Sequence, residues 1–300
     1  MLRFLSWLSL ATVILAAAFP AAVAAEPDTY PEEIDAYRRA RLERLTAPDG
    51  WLSLIGLHWL EPGKNAVGSD PALAVVLPAD VSPPRAGELI LADAVVRFVP
   101  EPDAAVTLGG AAVPDRPLRD DVTGEPDVLE LGRLRMHLIR RGDRFALRVK
   151  DPASPARTGF LGIDYFALDR AFRVEARFVP FDEPETIEVP TVTGGTTRMS
   201  IPGRLTFELA GRPLSLDPLV SGPDDDEWFL IFRDGTSGRE SYGAGRYLYV
   251  PITSGPVVID FNKAYNPPCV FTPYATCPLP PAANRLAVEI RAGEKTYRGH

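Results

Sequence analysis

The chain contains no glutamine and only four asparagines, at positions 65, 262, 266 and 284. Lysine is nearly as scarce: of 32 basic residues only four are Lys, at 64, 150, 263 and 295. A composition pushed this far toward Arg keeps an amide or an amine where that group is needed. All four Asn and three of the four Lys fall within 64–65 and 262–295, which marks two segments for attention. Cysteine is limited to Cys269 and Cys277, and histidine to His58, His137 and His300. That scarcity and spacing match none of the common zinc patterns, so no metal is called for. Nor does any residue pattern demand an organic cofactor. Past the N-terminus no run is long and apolar enough to span a bilayer. Positive charge is in deficit, with a net charge of −8, which argues against nucleic acid and anionic lipid surfaces as partners.

What is present begins with Met1-Leu-Arg3, an apolar stretch to about Pro20 and small residues at Ala22-Val-Ala-Ala25. This is a charged region, an apolar region and an A-x-A cleavage pattern, so residues 1–25 are expected to be a signal peptide. The mature chain is then expected to be exported, periplasmic or secreted, with a net charge of −9 once Arg3 is lost. Its length suits one large core or two modest ones.

Helix is scarce. Thr29-x-x-Glu32 has the form of a capping box, and Ile34, Tyr37, Leu42 and Leu45 share one helical face before Pro48-Asp-Gly50. An N-terminal helix within 26–48 follows. Beyond it the period is two. Leu134, Met136 and Leu138 alternate with polar residues, as do Phe145, Leu147 and Val149, and Arg141-Gly-Asp143 between them makes a hairpin. The same alternation appears at Val174/Ala176/Phe178, Leu205/Phe207/Leu209 and Leu286/Val288/Ile290. Trp228–Phe232 reads as a strand buried on both faces. Turn signals recur about every ten residues. The expected fold is mainly β, an antiparallel sandwich or barrel-like body with one N-terminal helix. Proline and acid cluster at 180–185 and suggest a boundary between β subdomains at 49–180 and 186–300, although one continuous body is also compatible.

Three segments can carry chemistry. In 51–60, read as a strand, His58 stands alone on an apolar face and is either a hydrogen-bonded core imidazole or a site residue. Lys64 and Asn65 follow in a turn. In 233–247, Glu240, Tyr242 and Arg246 either form a buried ion network or line a pocket, while Gly243-Ala-Gly245 lacks the context of a phosphate loop. In Asp260-Phe-Asn-Lys-Ala-Tyr-Asn-Pro-Pro-Cys269, a strand ends at Asp260, and six prolines stiffen 267–281. Cys269 and Cys277 are expected to form a disulfide in an exported chain. The strand face carrying Arg133, Arg135, Arg144 and Arg148, with His137 among them, reads as solvated and paired with acids.

The motifs at 51–60, at Arg233–Gly238 with Tyr242–Arg246, and at Asp260–Cys269 through Ala292–Tyr297 resemble those of the DUF1684 family of bacterial proteins. The likeness is read over about 30–298. It implies kinship and carries no activity, substrate or catalytic residue with it.

The reading that asks least of these residues is a binding site for a small polar or anionic molecule. It would be built from His58, Lys64, Asn65, Glu240, Tyr242, Arg246, Asp260, Asn262, Lys263, Tyr265 and Asn266, where 58–65, 240–246 and 260–266 converge. One alternative is a hydrolase, using Glu240 and Asp260 as paired carboxylates or His58 as a base for Ser53 or Ser241. Another is a structural or partner-binding domain, in which Asn65, Asn262 and Asn266 serve the turns that hold them.

Overall fold

The period-two alternation folds into antiparallel sheets, seen in a computed structural model that describes residues 28–299. The expected signal peptide, residues 1–25, lies outside the described residues. Helix α1 (Tyr30–Thr46) buries Tyr30, Ile34, Arg41 and Leu45 along one face. The capping box does not form. Thr29 sits at φ −91°, ψ 0°, already helical backbone, and its side chain caps nothing. Asp28 accepts the Tyr30 N–H instead, at 3.2 Å.

A first β body follows. Trp51–Ser53 is one turn of 3₁₀ helix rather than the start of a strand, and it leads into β1 (Leu54–Trp59). Then come β2 (Gly63–Gly68), β3 (Val75–Val76), β4 (Gly87–Ala92), β5 (Val95–Pro100), β6 (Thr107–Leu108), β7 (Ala111–Ala112), β8 (Val128–Leu131), β9 (Leu134–Arg141) and β10 (Arg144–Lys150). They form two sheets, ordered β1-β10-β9-β8-β6-β7 and β3-β2-β4-β5. All pairings are antiparallel except β2 with β3. The hairpin read at 134–150 is present, with Gly142 at φ +60° in its two-residue turn, a backbone state glycine adopts without strain. Leu134, Met136, Leu138, Phe145, Leu147 and Val149 meet Leu89, Val96 and Phe98 in the first core.

After a short helix α2 (Pro155–Thr158), the second body contains β11 (Arg173–Pro190), β12 (Thr196–Leu209), β13 (Arg212–Leu216), β14 (Glu227–Phe232), β15 (Arg246–Pro251) and β16 (Val257–Asp260). One sheet is ordered β13-β12-β11-β16, and β14 pairs with β15 alone. The proline–acid cluster at 180–185 does not connect two bodies. It lies inside β11, where the register against β12 shifts between Pro180 and Glu185. Proline cannot donate to a ladder, so the irregularity sits where the prolines are. Opposite it, a Cβ on Gly203 would come within 2.4 Å of the Val179 carbonyl oxygen, so only glycine lets the strands close there.

Two strand expectations fare differently. Trp228–Phe232 is mostly buried within β14. Leu286/Val288/Ile290 forms no ladder, although Leu286 and Ile290 are buried as the alternation required. Its backbone is held by single bonds instead, such as Leu286 N–H to Arg233 O at 2.8 Å and Ile290 N–H to Asp234 Oδ2 at 2.6 Å. The fold is mainly β with one long N-terminal helix, and among the described residues no sheet closes into a barrel.

Candidate functional site

In an antiparallel ladder, residues directly opposite share a face. The core face of the β9–β10 hairpin is apolar apart from Arg140, which pairs with Phe145 near the turn. The other face pairs Arg148 with His137, Ala146 with Ile139 and Arg144 with Arg141. The second body covers this face. Arg141 Nε donates to Thr276 Oγ1 at 3.3 Å, and Thr272 Oγ1 donates to the Leu54 carbonyl at 3.1 Å. Between the two bodies and α1 runs a cleft of about 1790 Å³. Its basic wall holds Arg140, Arg141, Arg148 and Lys150, with Arg41 and Arg44 from α1 and Arg198 from β12. Aromatic rings complete it: Trp51, Phe229, Tyr247, Tyr249 and Tyr265. For a protein of net charge −8 this is a local reversal of sign.

Most of these cations already have partners. Arg141 pairs with Asp121 at 2.9 Å, Arg198 with Glu188 at 3.0 Å and Arg41 with Glu294 at 2.9 Å. Arg140 is 3.5 Å from Asp120. Arg148 differs. It is 7% exposed, its buried Nε has no hydrogen-bond partner, and no carboxylate among the described residues pairs with it. The guanidinium lies over the Trp51 ring at 5.0 Å. Burial, then the nearby Arg141, pushes it down to about 10 against the opposing charge of Asp121, so it stays charged at neutral pH. Burial, followed by Arg148 and Lys150, pushes the opposing His137 down to about 4 and leaves it neutral. Burial likewise lowers Lys150, whose Nζ donates to the Asp49 carbonyl at 2.5 Å.

The expected solvated face is therefore half right. Arg133 pairs with Asp151 at 2.9 Å and Asp80 at 2.7 Å, and Arg135 with Glu130 at 2.6 Å. Arg144 covers the Trp59 ring at 3.9 Å. Arg148 is buried and His137 half-buried, on the face over which the second body docks. The signal lay on the same face: Ile139 and Ala146 are fully buried there, and a purely solvated face has little use for them.

Of the expected binding residues, only Lys263 and Tyr265 line this cleft, together with Cys277 of the expected disulfide. Lys263 bonds Glu33 at 2.6 Å, and Tyr265 packs edge-on to Tyr247 at 5.9 Å with Arg41 over its ring at 4.6 Å. The others have local partners. Asn65 Nδ2 donates to the carbonyls of Glu61 at 2.8 Å, Gly63 at 3.2 Å and Leu89 at 3.3 Å. Lys64 pairs with Glu88 at 2.9 Å on the surface. His58 faces Leu147 across β1–β10, and burial lowers its pKa. Asp260 accepts the Tyr30 hydroxyl at 2.9 Å, and Asn262 Nδ2 donates to the Asp169 carbonyl at 2.8 Å. Asn266 donates its N–H to Glu294 Oε2 and its Nδ2 to the Lys295 carbonyl, both at 2.7 Å. Arg246 is fully buried and donates to Asp234 at 3.4 Å, to the Ile290 carbonyl at 2.8 Å and to the Ala292 carbonyl. Glu240 pairs with Arg291 at 3.0 Å.

In both hydrolase arrangements the carboxylates or the serines already have partners. Glu240 and Asp260 are engaged as above. Ser53 Oγ donates to the Gly50 carbonyl at 2.7 Å, and Ser241 Oγ lies 2.7 Å from Thr236 Oγ1. Cys269 and Cys277 are adjacent but not bridged: both are free thiols, and Cys269 N–H donates to Cys277 Sγ at 3.2 Å. The Cys277 thiol lowers the Cys269 pKa by hydrogen bonding, and Tyr242 Oη stands 3.7 Å from Cys269 Sγ.

No curated protein matches this chain. A solution NMR structure of an uncharacterized protein from Haloarcula marismortui is 35% identical to it, covering 48% of this chain and 81% of that one, with a TM-score of 0.41. Residues 158–295 match the family described as "Protein of unknown function (DUF1684)". The 51–60 motif lies outside that span, so the likeness is shorter than the 30–298 read from sequence, and it covers the second body with the cysteine loop. Over that span, the chain belongs to the DUF1684 family.

Proposed function

We propose that the protein is an exported binding protein that takes a small anionic molecule into the cleft between its two β bodies. The observation that carries this is Arg148. A buried cation with no carboxylate paired to it, and only Asp121 acting on it through space, is costly, by several kcal/mol, and is retained where something else supplies the charge. A guanidinium offers five donors in a planar fork that suits a carboxylate or a phosphate. The site thus differs from the one read in the sequence, which centred on 58–65, 240–246 and 260–266, although Lys263 and Tyr265 belong to both.

The cysteine pair belongs to the same proposal. In an oxidising compartment the two thiols lose two protons and two electrons to a disulfide oxidant, joining Cys269 to Cys277 and fixing the loop that brings Thr276 and Cys277 into the wall. Thiol labelling of protein recovered from the periplasm, with and without reductant, tests this: labelling only after reduction supports it, and full labelling without reductant refutes it.

Binding is tested by calorimetric titration with inorganic phosphate and with acetate, on the wild type and on Arg148→Met. The expected result is saturable binding that the variant loses. Binding that survives in Arg148→Met at wild-type strength sinks the proposal, as does no binding to the wild type.

A further inference from the structure

The same cleft presents one face of the β14–β15 pair. Phe229 and Tyr249 face each other across that ladder and stack at 4.8 Å with 19° between their planes. Tyr265 continues the series, 6.3 Å from Tyr249 at 21°. Tyr247 stands edge-on to Phe229 at 4.8 Å, closing the inner end. Tyr249 is 47% exposed, which is unusual for a ring in a stack and leaves it open to the cleft. The two walls are joined. Trp51, which lies under Arg148, packs in one cluster with Tyr247, Phe229 and Tyr265, and the Tyr247 hydroxyl donates to the Pro278 carbonyl at 2.7 Å. Beyond Tyr249 the surface turns acidic, with Asp225, Asp226 and Glu227 around a small depression.

We infer that the ligand carries a flat ring next to a single acid group, with the acid on Arg148 and the ring on the Tyr249 platform. This rests on the anion-binding reading above and extends it to a ligand class. With Phe229 and Tyr265 stacked against it, Tyr249 offers its exposed rim, and a ring set edge-to-face on that rim gains beyond area burial. The acid group enters first, because Arg148 is the inner, buried charge, and the acidic outer rim repels a second anionic group at the far end.

The experiment is a calorimetric comparison of acetate, benzoate, benzyl alcohol and terephthalate on the wild type and on Tyr249→Ala. Benzoate is expected to bind about five-fold more tightly than acetate, since an aromatic contact of this kind contributes about 1 kcal/mol. Benzyl alcohol and terephthalate should bind more weakly than benzoate. In Tyr249→Ala, the preference for benzoate over acetate should disappear. Equal binding of acetate and benzoate to the wild type overturns the ring subsite and leaves the anion site standing. An unchanged preference for benzoate in Tyr249→Ala also overturns it. If none of the acids binds, the anion reading falls and this inference with it.

Discussion

Two arginines of this protein are buried to nearly the same degree and live in opposite surroundings. Arg246, in the second body, is fully buried, and its two terminal nitrogens are committed to Asp234 and to the carbonyls of Ala292, Glu294 and Ile290, leaving only Nε without a partner. It holds an extended segment that no ladder supports. Arg148, at the cleft, has a ring beneath it and no acid paired with it, Asp121 acting on it only through space. The difference teaches how to tell a brace from a binding group. Burial alone does not separate them, but the count of satisfied donors does.

The comparison breaks first at Arg246. Arg246→Met leaves Asp234 buried without its cation and strips carbonyl partners from 290–294, so denaturant unfolding should register a loss of about 3–5 kcal/mol. A loss below about 1 kcal/mol would mean that the network does not brace the fold.

His137 comes next, because it reports on the same buried face as Arg148. Its folded value of about 4 lies below the ordinary 6.5, so the unfolded chain takes up the proton first as pH falls. The stabilisation is therefore complete above about 6.5 and is lost between there and about 4. His137→Leu should flatten this part of the acid limb by about 2 kcal/mol, allowing for its partial exposure. An acid limb of unchanged slope would contradict the burial.

Asn65→Ala strips the N–H of Glu61 and three carbonyls of their partner and should cost about 1–2 kcal/mol with no effect on anion binding. The smallest effect on stability is expected at Arg148. Arg148→Met removes a buried charge without orphaning a partner, so unfolding should be unchanged or up to about 1 kcal/mol more favourable to the fold. Destabilisation by several kcal/mol would show that Arg148 is a second brace and erase the contrast.

Much of the fold was legible, and for local reasons. The 134–150 hairpin combines alternation on both arms with a glycine turn, and β14 is a continuous apolar run. The long strand β11 was read as broken because prolines stand in its middle, yet an irregular register accommodates them. At 286–290 the alternation of burial was right and the ladder wrong, since alternation records which side chains go inward and not what their backbone bonds to. The rare residues led to real anchors. The amides of Asn65, Asn262, Asn266 and Asn284 all bond backbone carbonyls, as in Asn284 Nδ2 to Asp217 O at 2.9 Å. Scarcity therefore located backbone anchors and not the cleft. Arg148 was hidden because one more Arg on a polar strand face is unremarkable in an Arg-rich chain. Its character depends on docking of a body more than a hundred residues away.

Helix α1 ties down the second body rather than the first strand that follows it. Tyr30 donates to Asp260, Tyr37 to the Lys263 carbonyl at 2.8 Å, and Arg41 to Glu294 and to the Asn266 carbonyl at 2.9 Å. None of these helix residues falls within 158–295. The family boundary thus cuts through a cooperative unit. Excised at that boundary, the fragment would face water with a buried glutamate whose countercharge is missing and an aspartate without its phenol. The unit that is inherited and the unit that folds are different lengths of chain, and the shorter one borrows its lid from the sequence that precedes it.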